Sequence, residues 1–164
     1  MKNNKDLFLE EEDWLMYSLE ELDIVKTKIL KYVLYKKRTE HEVREKFTDV
    51  DEDMLEDIIE FLKEEKYIDD TDYIRRCVEE YKKLNSLSIK EVSYKLLQKG
   101  INKNMLDEYI YSNREDLLQY EVDSAKKIII KRSKATDDIE EIKNFLYRKG
   151  YMSETINIAL EELE

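Results

Sequence analysis

The chain contains only two glycines and no proline among its 164 residues. Most β architectures need glycine, proline or Asn-Gly pairs for the backbone angles of their turns, so this scarcity excludes most of them. Hydrophobic residues make up 41% of the chain and aromatic residues 10%, which is too much for a disordered acidic chain. The sequence therefore predicts an all-α protein that folds around a buried core.

Apolar residues recur in short segments at the spacing of amphipathic helices, as in the stripe from Leu55 to Leu62. Thr39-x-x-Glu42 and Ser88-x-x-Glu91 have the spacing of capping boxes, in which a hydroxyl and a carboxylate satisfy unpaired amides of the first helical turn. The two segments also align with each other beyond the caps. This similarity indicates an internal repeat.

A third copy is visible where LLQKGINKNML (96–106) matches LYRKGYMSETI (146–156). Gly100 and Gly150 each follow a helix that ends in lysine, where a left-handed residue is needed and glycine adopts it without steric cost. We therefore predict tandem three-helix repeats that form an elongated, curved array. The predicted segments are an acidic N-terminal lead-in at 1–24 and repeats at 25–68, 69–113 and 114–164.

The stretch Tyr67-Ile68-Asp69-Asp70 lies where the first repeat ends and the second begins. Its two carboxylates could suggest a metal or an acid-base pair. Adjacent carboxylates at a helix start are more often caps, and a metal needs more ligands than one neighbouring pair supplies. We expect one of the aspartates to cap the next helix, and Tyr67 and Ile68 to pack across the junction.

The net charge of −11 argues against unaided binding to a phosphate backbone. The charge is uneven, however, because a basic block at 26–50 and the cluster KKIIIKRSK at 126–134 interrupt the acidic sequence. The chain has no apolar run of the roughly 18 to 20 residues that crosses a bilayer and no signal-peptide pattern. Its one cysteine, Cys77, cannot form an internal disulfide, so we expect a cytoplasmic protein without membrane contact.

Three segments resemble the RecX family, the regulatory proteins that act on the bacterial recombinase RecA. They are KRTEHEVREKF (37–47), KYIDDTDYIRR (66–76) and IKEVSYKLLQKGI (89–101), and the resemblance extends over about residues 26–164. Lys66 stands where the family usually has glycine. The positions to which we assign structural roles in these segments and the repeat are Tyr67, Ile68, Asp69, Asp70, Tyr73, Gly100, Ile101 and Gly150.

The resemblance implies a non-enzymatic regulator of homologous recombination and DNA repair. Such a protein lies in the groove of the RecA filament on single-stranded DNA and inhibits or modulates RecA. The residue types and their spacing indicate no cofactor or metal. We expect a monomer. Basic residues are the candidate contacts to an acidic partner surface, although solvation and pairing within helices would also explain them: Lys36, Lys37, Arg38, Arg44, Arg75 and Arg76.

Direct binding of single-stranded DNA is an alternative function. Three-helix units can resemble helix-turn-helix modules, the basic segments 26–50 and 126–134 would follow phosphates, and tyrosines could stack on bases. Tyr73, Tyr81 and Tyr109 lie on apolar stripes, which favours the core for these three.

An enzyme is the class that the sequence supports least. The single histidine, His41, lies in the first turn of a helix, and the spacing pairs it with no serine or cysteine nucleophile. No cysteine-histidine cluster is present to bind zinc. Trp14, in the lead-in, either packs on the first repeat or belongs to a short helix that contacts a partner.

Overall fold

A computed structural model describes residues 17–164, and every regular element in this range is an α-helix. The predicted all-α class is thus confirmed. The predicted lead-in lies mostly outside the described residues, and Trp14 lies outside them entirely. The helices of the described range are α1 (Leu19–Tyr35), α2 (Glu40–Lys46), α3 (Glu52–Glu64), α4 (Asp70–Leu84), α5 (Ile89–Gln98), α6 (Lys103–Ser112), α7 (Arg114–Arg132), α8 (Ile139–Arg148) and α9 (Ser153–Glu161).

The chain divides into two compact units, Met1–Ile68 and Asp69–Glu164. The first described unit contains α1 to α3, and the second contains α4 to α9. Helix α1 begins at Leu19, inside the segment that we assigned to the lead-in, because Ser18 and Glu21 form a capping box there. The division into three tandem repeats and the curved array stay predictions.

The first unit has an apolar core built by all three helices. Ile29, Val43 and Ile59 are fully buried, one from each of α1, α2 and α3. Tyr32 of α1 and Phe47 at the end of α2 pack edge to face, with ring centroids 5.6 Å apart. Most of the stability of helices in proteins comes from tertiary packing, so this shared burial holds the unit together.

The second unit contains two clusters of buried apolar side chains. One joins α4, α5 and α6 around Ile74 and Leu96, and Leu117 of α7 contributes to it. The other joins α7, α8 and α9 around Leu146 and Ile156. Tyr73 and Cys77 are partly buried against the first of these clusters.

The helix caps confirm several local predictions. Thr39 and Ser88 accept hydrogen bonds from the backbone N–H groups of Glu42 and Glu91, each at 3.1 Å, and both carboxylates complete their capping boxes. Asp69 caps α4, because its carboxylate accepts a hydrogen bond from the N–H of Asp72 at 3.0 Å.

Asp70 is the first residue of α4, directly after this cap. Ile68 is buried in the core of the first unit, and Tyr67 packs partly buried against the same core. Both residues therefore pack against the core of the first unit.

The helices α3, α5 and α8 each end in a turn through a left-handed residue. Gly100 and Gly150 have φ angles of 75° and 89°, as the repeat predicted. Lys66 has a φ of 60° at the end of α3, although a lysine adopts this region at a steric cost. In each of these three turns, the N–H of the residue after the left-handed one donates to a backbone carbonyl of the last helical turn. The acceptor carbonyls are those of Leu62, Leu96 and Leu146.

Candidate partner-binding surfaces

The predicted contact residues of the first unit start in the connection between α1 and α2. Lys36 and Lys37 are exposed, and neither forms an ion pair within the described part of the chain. Arg38 is more enclosed, because its guanidinium lies 4.4 Å from the ring centre of Tyr32 and 3.7 Å from Glu42. The two lysines are thus the more accessible cations of this connection.

Arg44 belongs to an ion-pair network within the first unit. Its guanidinium donates to Glu40 at 2.8 Å and lies 2.8 Å from Glu56, while Lys63 donates to Glu40 at 2.9 Å. Partial burial raises the pKa of the Glu40 carboxyl, but the hydrogen bonds from Lys63 and Arg44 outweigh this effect and lower the pKa below its usual value. A partner that contacts Arg44 therefore meets a guanidinium whose charge is already balanced by two carboxylates.

Arg75 and Arg76 lie on α4 in the second unit, and both bind the carboxylate of Asp72 at 2.6 Å. The hydrogen bond from Arg75, followed by that from Arg76, lowers the pKa of Asp72. Their side chains remain more than half exposed. Two guanidinium groups on one carboxylate leave a net positive charge at the surface, which is available to an acidic partner.

The second unit contains a buried polar cluster that no sequence motif predicted. The carboxylate of Glu121 is almost fully buried; it accepts hydrogen bonds from the N–H of Ile89 at 2.8 Å and from the hydroxyl of Thr155 at 2.7 Å. Because Ile89 is the first residue of α5, the negative charge lies at the positive end of that helix. Glu121 thereby connects α7 to α5 and α9.

Further hydrogen bonds surround this carboxylate. The Ser88 hydroxyl donates to the carbonyl of Lys149 at 2.6 Å, and Tyr120 donates to the carbonyl of Leu87 at 2.7 Å. The hydroxyls of Ser124 and Tyr151 are 2.6 Å apart, and burial raises the pKa of Tyr151. The cluster therefore joins segments that are far apart in the sequence, and we assign it a structural role.

Two surface grooves of the second unit are basic. The first groove lies between the C-terminal part of α7 and α8, and its lining residues include Lys127, Lys131, Arg132, Phe145 and Lys149. The second groove lies between α5 and the end of α8, and its lining residues include Lys90, Tyr94, Lys95, Arg148 and Lys149. The basic segment 126–134 indicated only one side of the first groove, and the second groove was not predicted.

The remaining candidates for chemistry are not among the residues that line these grooves. His41 is exposed in the first unit, where its Nε2 is 3.4 Å from Glu45. Among residues 17–164 there is no group of three or more histidine, cysteine, aspartate or glutamate side chains that could hold a metal ion. The helices of the same range include none with the length and apolar character that a bilayer crossing requires.

The fold and these surfaces define an all-helical protein with exposed cations in its first unit and basic grooves in its second. No model of a known protein family matches the chain. Individual proteins do match it. Regulatory protein RecX of Clostridium botulinum is 33% identical over 132 residues, which cover 76% of this chain and 61% of the relative.

Regulatory protein RecX of Staphylococcus carnosus is 27% identical over 139 residues, which cover 82% of this chain and 52% of that protein. The chain thus spans about half to three fifths of the length of these curated relatives. The resemblance to the RecX family that the three motifs predicted is confirmed by these matches.

Solved structures support the fold. The crystal structure of RecX from Lactobacillus salivarius superposes with a TM-score of 0.74 at 24% identity, covering 89% of this chain and 98% of that one. A second crystal structure, of a regulatory protein RecX, superposes with a TM-score of 0.72 at 19% identity and covers 98% of this chain. The chain is therefore related to the RecX regulatory proteins in sequence and shares their all-helical fold.

Proposed function

We propose that this protein is a non-enzymatic regulator of homologous recombination and DNA repair that binds the filament of a RecA-type recombinase on single-stranded DNA. The observation that carries the proposal is the match to curated RecX proteins over three quarters or more of the chain, together with the shared fold. We also propose that it acts as a monomer in the cytoplasm and requires no cofactor.

Binding alone is sufficient for this function. A protein that binds one state of a filament more tightly than another shifts the population toward the preferred state, and no bond has to be made or broken. A tenfold difference in affinity between two states corresponds to about 1.4 kcal/mol. A few charged contacts that form in only one filament state can supply this difference.

The exposed cations are the proposed contacts. Lys36 and Lys37 in the first unit and Arg75 and Arg76 in the second extend from the surface. Arg38 and Arg44 stay in the proposed set, but we expect smaller effects from them because Glu42, Glu40 and Glu56 already lie beside their guanidinium groups. The acceptor on the partner would be an acidic surface of the recombinase.

The experiment is co-sedimentation of this protein with RecA filaments formed on oligo(dT). We expect the wild type to sediment with the filament, and the double variant Arg75→Ala/Arg76→Ala to bind at least about tenfold more weakly, the loss typical of two charged contacts. Asp72→Asn is the matched variant, because it removes the shared carboxylate and leaves both guanidinium groups in place. It should bind at least as well as the wild type.

Unchanged binding of a folded Arg75→Ala/Arg76→Ala variant would remove α4 from the contact surface. Absence of wild-type sedimentation under conditions in which the filament is intact would contradict the proposed partner.

A further inference from the structure

The two grooves of the second unit concentrate positive charge in an otherwise acidic protein. Seven basic side chains line them, namely Lys90, Lys95, Lys127, Lys131, Arg132, Arg148 and Lys149. The only acidic residues in these linings are Glu91 and Glu141. Since the whole chain has a net charge of −11, this local excess of cations is not a property of its average surface.

Most of these cations are available to a ligand. Lys149 is 3.1 Å from Glu91, and Arg132 is 3.5 Å from Glu141, so both acidic residues are already paired within the grooves. The other five cations have no ion-pair partner within residues 17–164. All five are exposed: Lys90, Lys95, Lys127, Lys131 and Arg148.

The two grooves meet at one residue. Lys149 lines both of them, at the point where α8 ends and the chain turns through Gly150. The position of Lys149 is fixed from two sides, because its carbonyl accepts the hydrogen bond of Ser88 and its ammonium group donates to Glu91. These two hydrogen bonds connect the end of α8 to the start of α5.

An exposed aromatic ring beside the cations favours a single-stranded nucleic acid over an acidic protein as the ligand. Tyr94 is 63% exposed in the second groove, between the cations Lys90 and Lys95 of the same helix. Its hydroxyl accepts a hydrogen bond from Gln98, which lies one helical turn further along. Proteins that bind single-stranded nucleic acids commonly combine cations that contact the phosphates with exposed aromatic rings on which the bases stack.

We propose that the two grooves form one continuous track that binds the phosphates of single-stranded DNA, with Tyr94 as a stacking platform for a base. The inference deepens the proposed function, because that function brings single-stranded DNA to this protein. Its test needs no recombinase, so the two proposals can fail separately.

The experiment measures fluorescence anisotropy of labelled dT20 with the full-length protein at a series of salt concentrations. The double variants Lys127→Gln/Lys131→Gln and Lys95→Gln/Arg148→Gln each remove two cations from one groove. We expect each to bind about fivefold or more weakly at low salt, and to reduce the slope of log K against log salt by about 1.4, since each lost phosphate contact on a single strand contributes about 0.7.

Tyr94→Leu should weaken binding about fivefold or more and leave the salt slope unchanged, because a stacked base contributes about 1 to 3 kcal/mol but no counterion release. This combination separates stacking from charge. A loss of affinity together with a changed slope would contradict the role of Tyr94.

Lys83→Gln/Lys103→Gln is the control, because it changes the charge of the second unit equally at exposed positions outside the grooves. An equal loss in this control, or wild-type binding too weak to detect at low salt, would overturn the track. An effect of only one groove variant would overturn its continuity, and tighter binding of rU20 than dT20 would overturn its assignment to DNA.

Discussion

The cores of the two units are filled differently. In the first unit the buried side chains of the described residues are apolar except for Thr39, which caps α2. The second unit buries a carboxylate, Glu121, together with the hydroxyls of Ser88, Ser124 and Thr155. Apolar packing tolerates many combinations of side chains, whereas a buried polar group requires particular partners at particular distances.

The buried polar groups constrain the packing of helices in the second unit more strictly than apolar contacts would. Its polar cluster joins α5, α7 and α9 through hydrogen bonds between residues more than thirty positions apart. The same arrangement places α5 beside the end of α8, where the basic grooves meet. We infer that the buried cluster fixes the positions of the groove cations. The stability of the first unit depends more strongly on hydrophobic burial.

Replacement of the buried carboxylate should have the largest effect. Glu121→Leu leaves the Ile89 N–H and the Thr155 hydroxyl without an acceptor, so we expect a loss of about 4 kcal/mol in the free energy of unfolding. Glu121→Gln is the matched variant, which keeps one acceptor oxygen and should lose about half as much. Urea unfolding measures both.

Hydrogen exchange shows which unit is affected by Glu121→Leu. The amides of α5 and α9 should lose protection, while those of α2 in the first unit should change little. Wild-type stability of the leucine variant would show that the polar cluster is dispensable and would remove this difference between the cores.

The left-handed helix ends provide a smaller test. Lys66→Gly should raise the free energy of unfolding by about 1 kcal/mol, because glycine adopts its φ of 60° without a steric cost. Gly100→Ala should lower it by about the same amount.

Gly150→Ala should cost more than Gly100→Ala, since a Cβ at Gly150 would lie 2.9 Å from Cδ and 3.0 Å from Cβ of Lys90. Thermal unfolding of the three variants gives their order. Equal stability of the two alanine variants would show that the Lys90 stem moves aside freely.

The pH dependence of the first unit should show the smallest effect. The pKa of Glu40 is lower in the folded state, so its contribution to stability is fully present above the usual value of 4.5 and is lost as the pH falls through the folded pKa. The network is partly exposed, and we expect less than about 1 kcal/mol. Urea unfolding of the wild type and Glu40→Gln should differ at pH 7 and converge in acid; a difference that persists in acid would contradict the ion-pair origin.

Local signals in the sequence were sufficient for much of the fold. The scarcity of glycine and proline gave the helical class, and the capping boxes placed the starts of α2 and α5 correctly. The same rule could have found α1, because Ser18 and Glu21 have the same spacing as the other two boxes. The predicted lead-in boundary at residue 24 therefore falls inside α1.

The candidate sites were less predictable, for a physical reason. Glu121 lies 32 residues from Ile89 and 34 from Thr155, so nothing in its local sequence distinguishes it from an exposed glutamate. The cations of the second groove come from α5 and from the end of α8, and each looks like an ordinary surface residue on its own helix. Only the tertiary packing brings them together.

The basic residues proposed as partner contacts remain predictions. Arg75 and Arg76 share Asp72, and Arg44 joins a network with carboxylates of its own unit. Sequence spacing could indicate the pairs within one helix, but it could not indicate that Glu56 of α3 also reaches Arg44. Charge counts along a sequence therefore overestimate how many cations are available to a partner.

The most direct test of the central claim is the rate of ATP hydrolysis by RecA on single-stranded DNA when this protein is added at a small fraction of the recombinase concentration. We predict that the rate and the accompanying strand exchange change at this low ratio, because a regulator bound in the filament groove, as proposed, would contact adjacent protomers. Rates that stay equal to those of recombinase alone, up to and beyond equimolar protein, would contradict it.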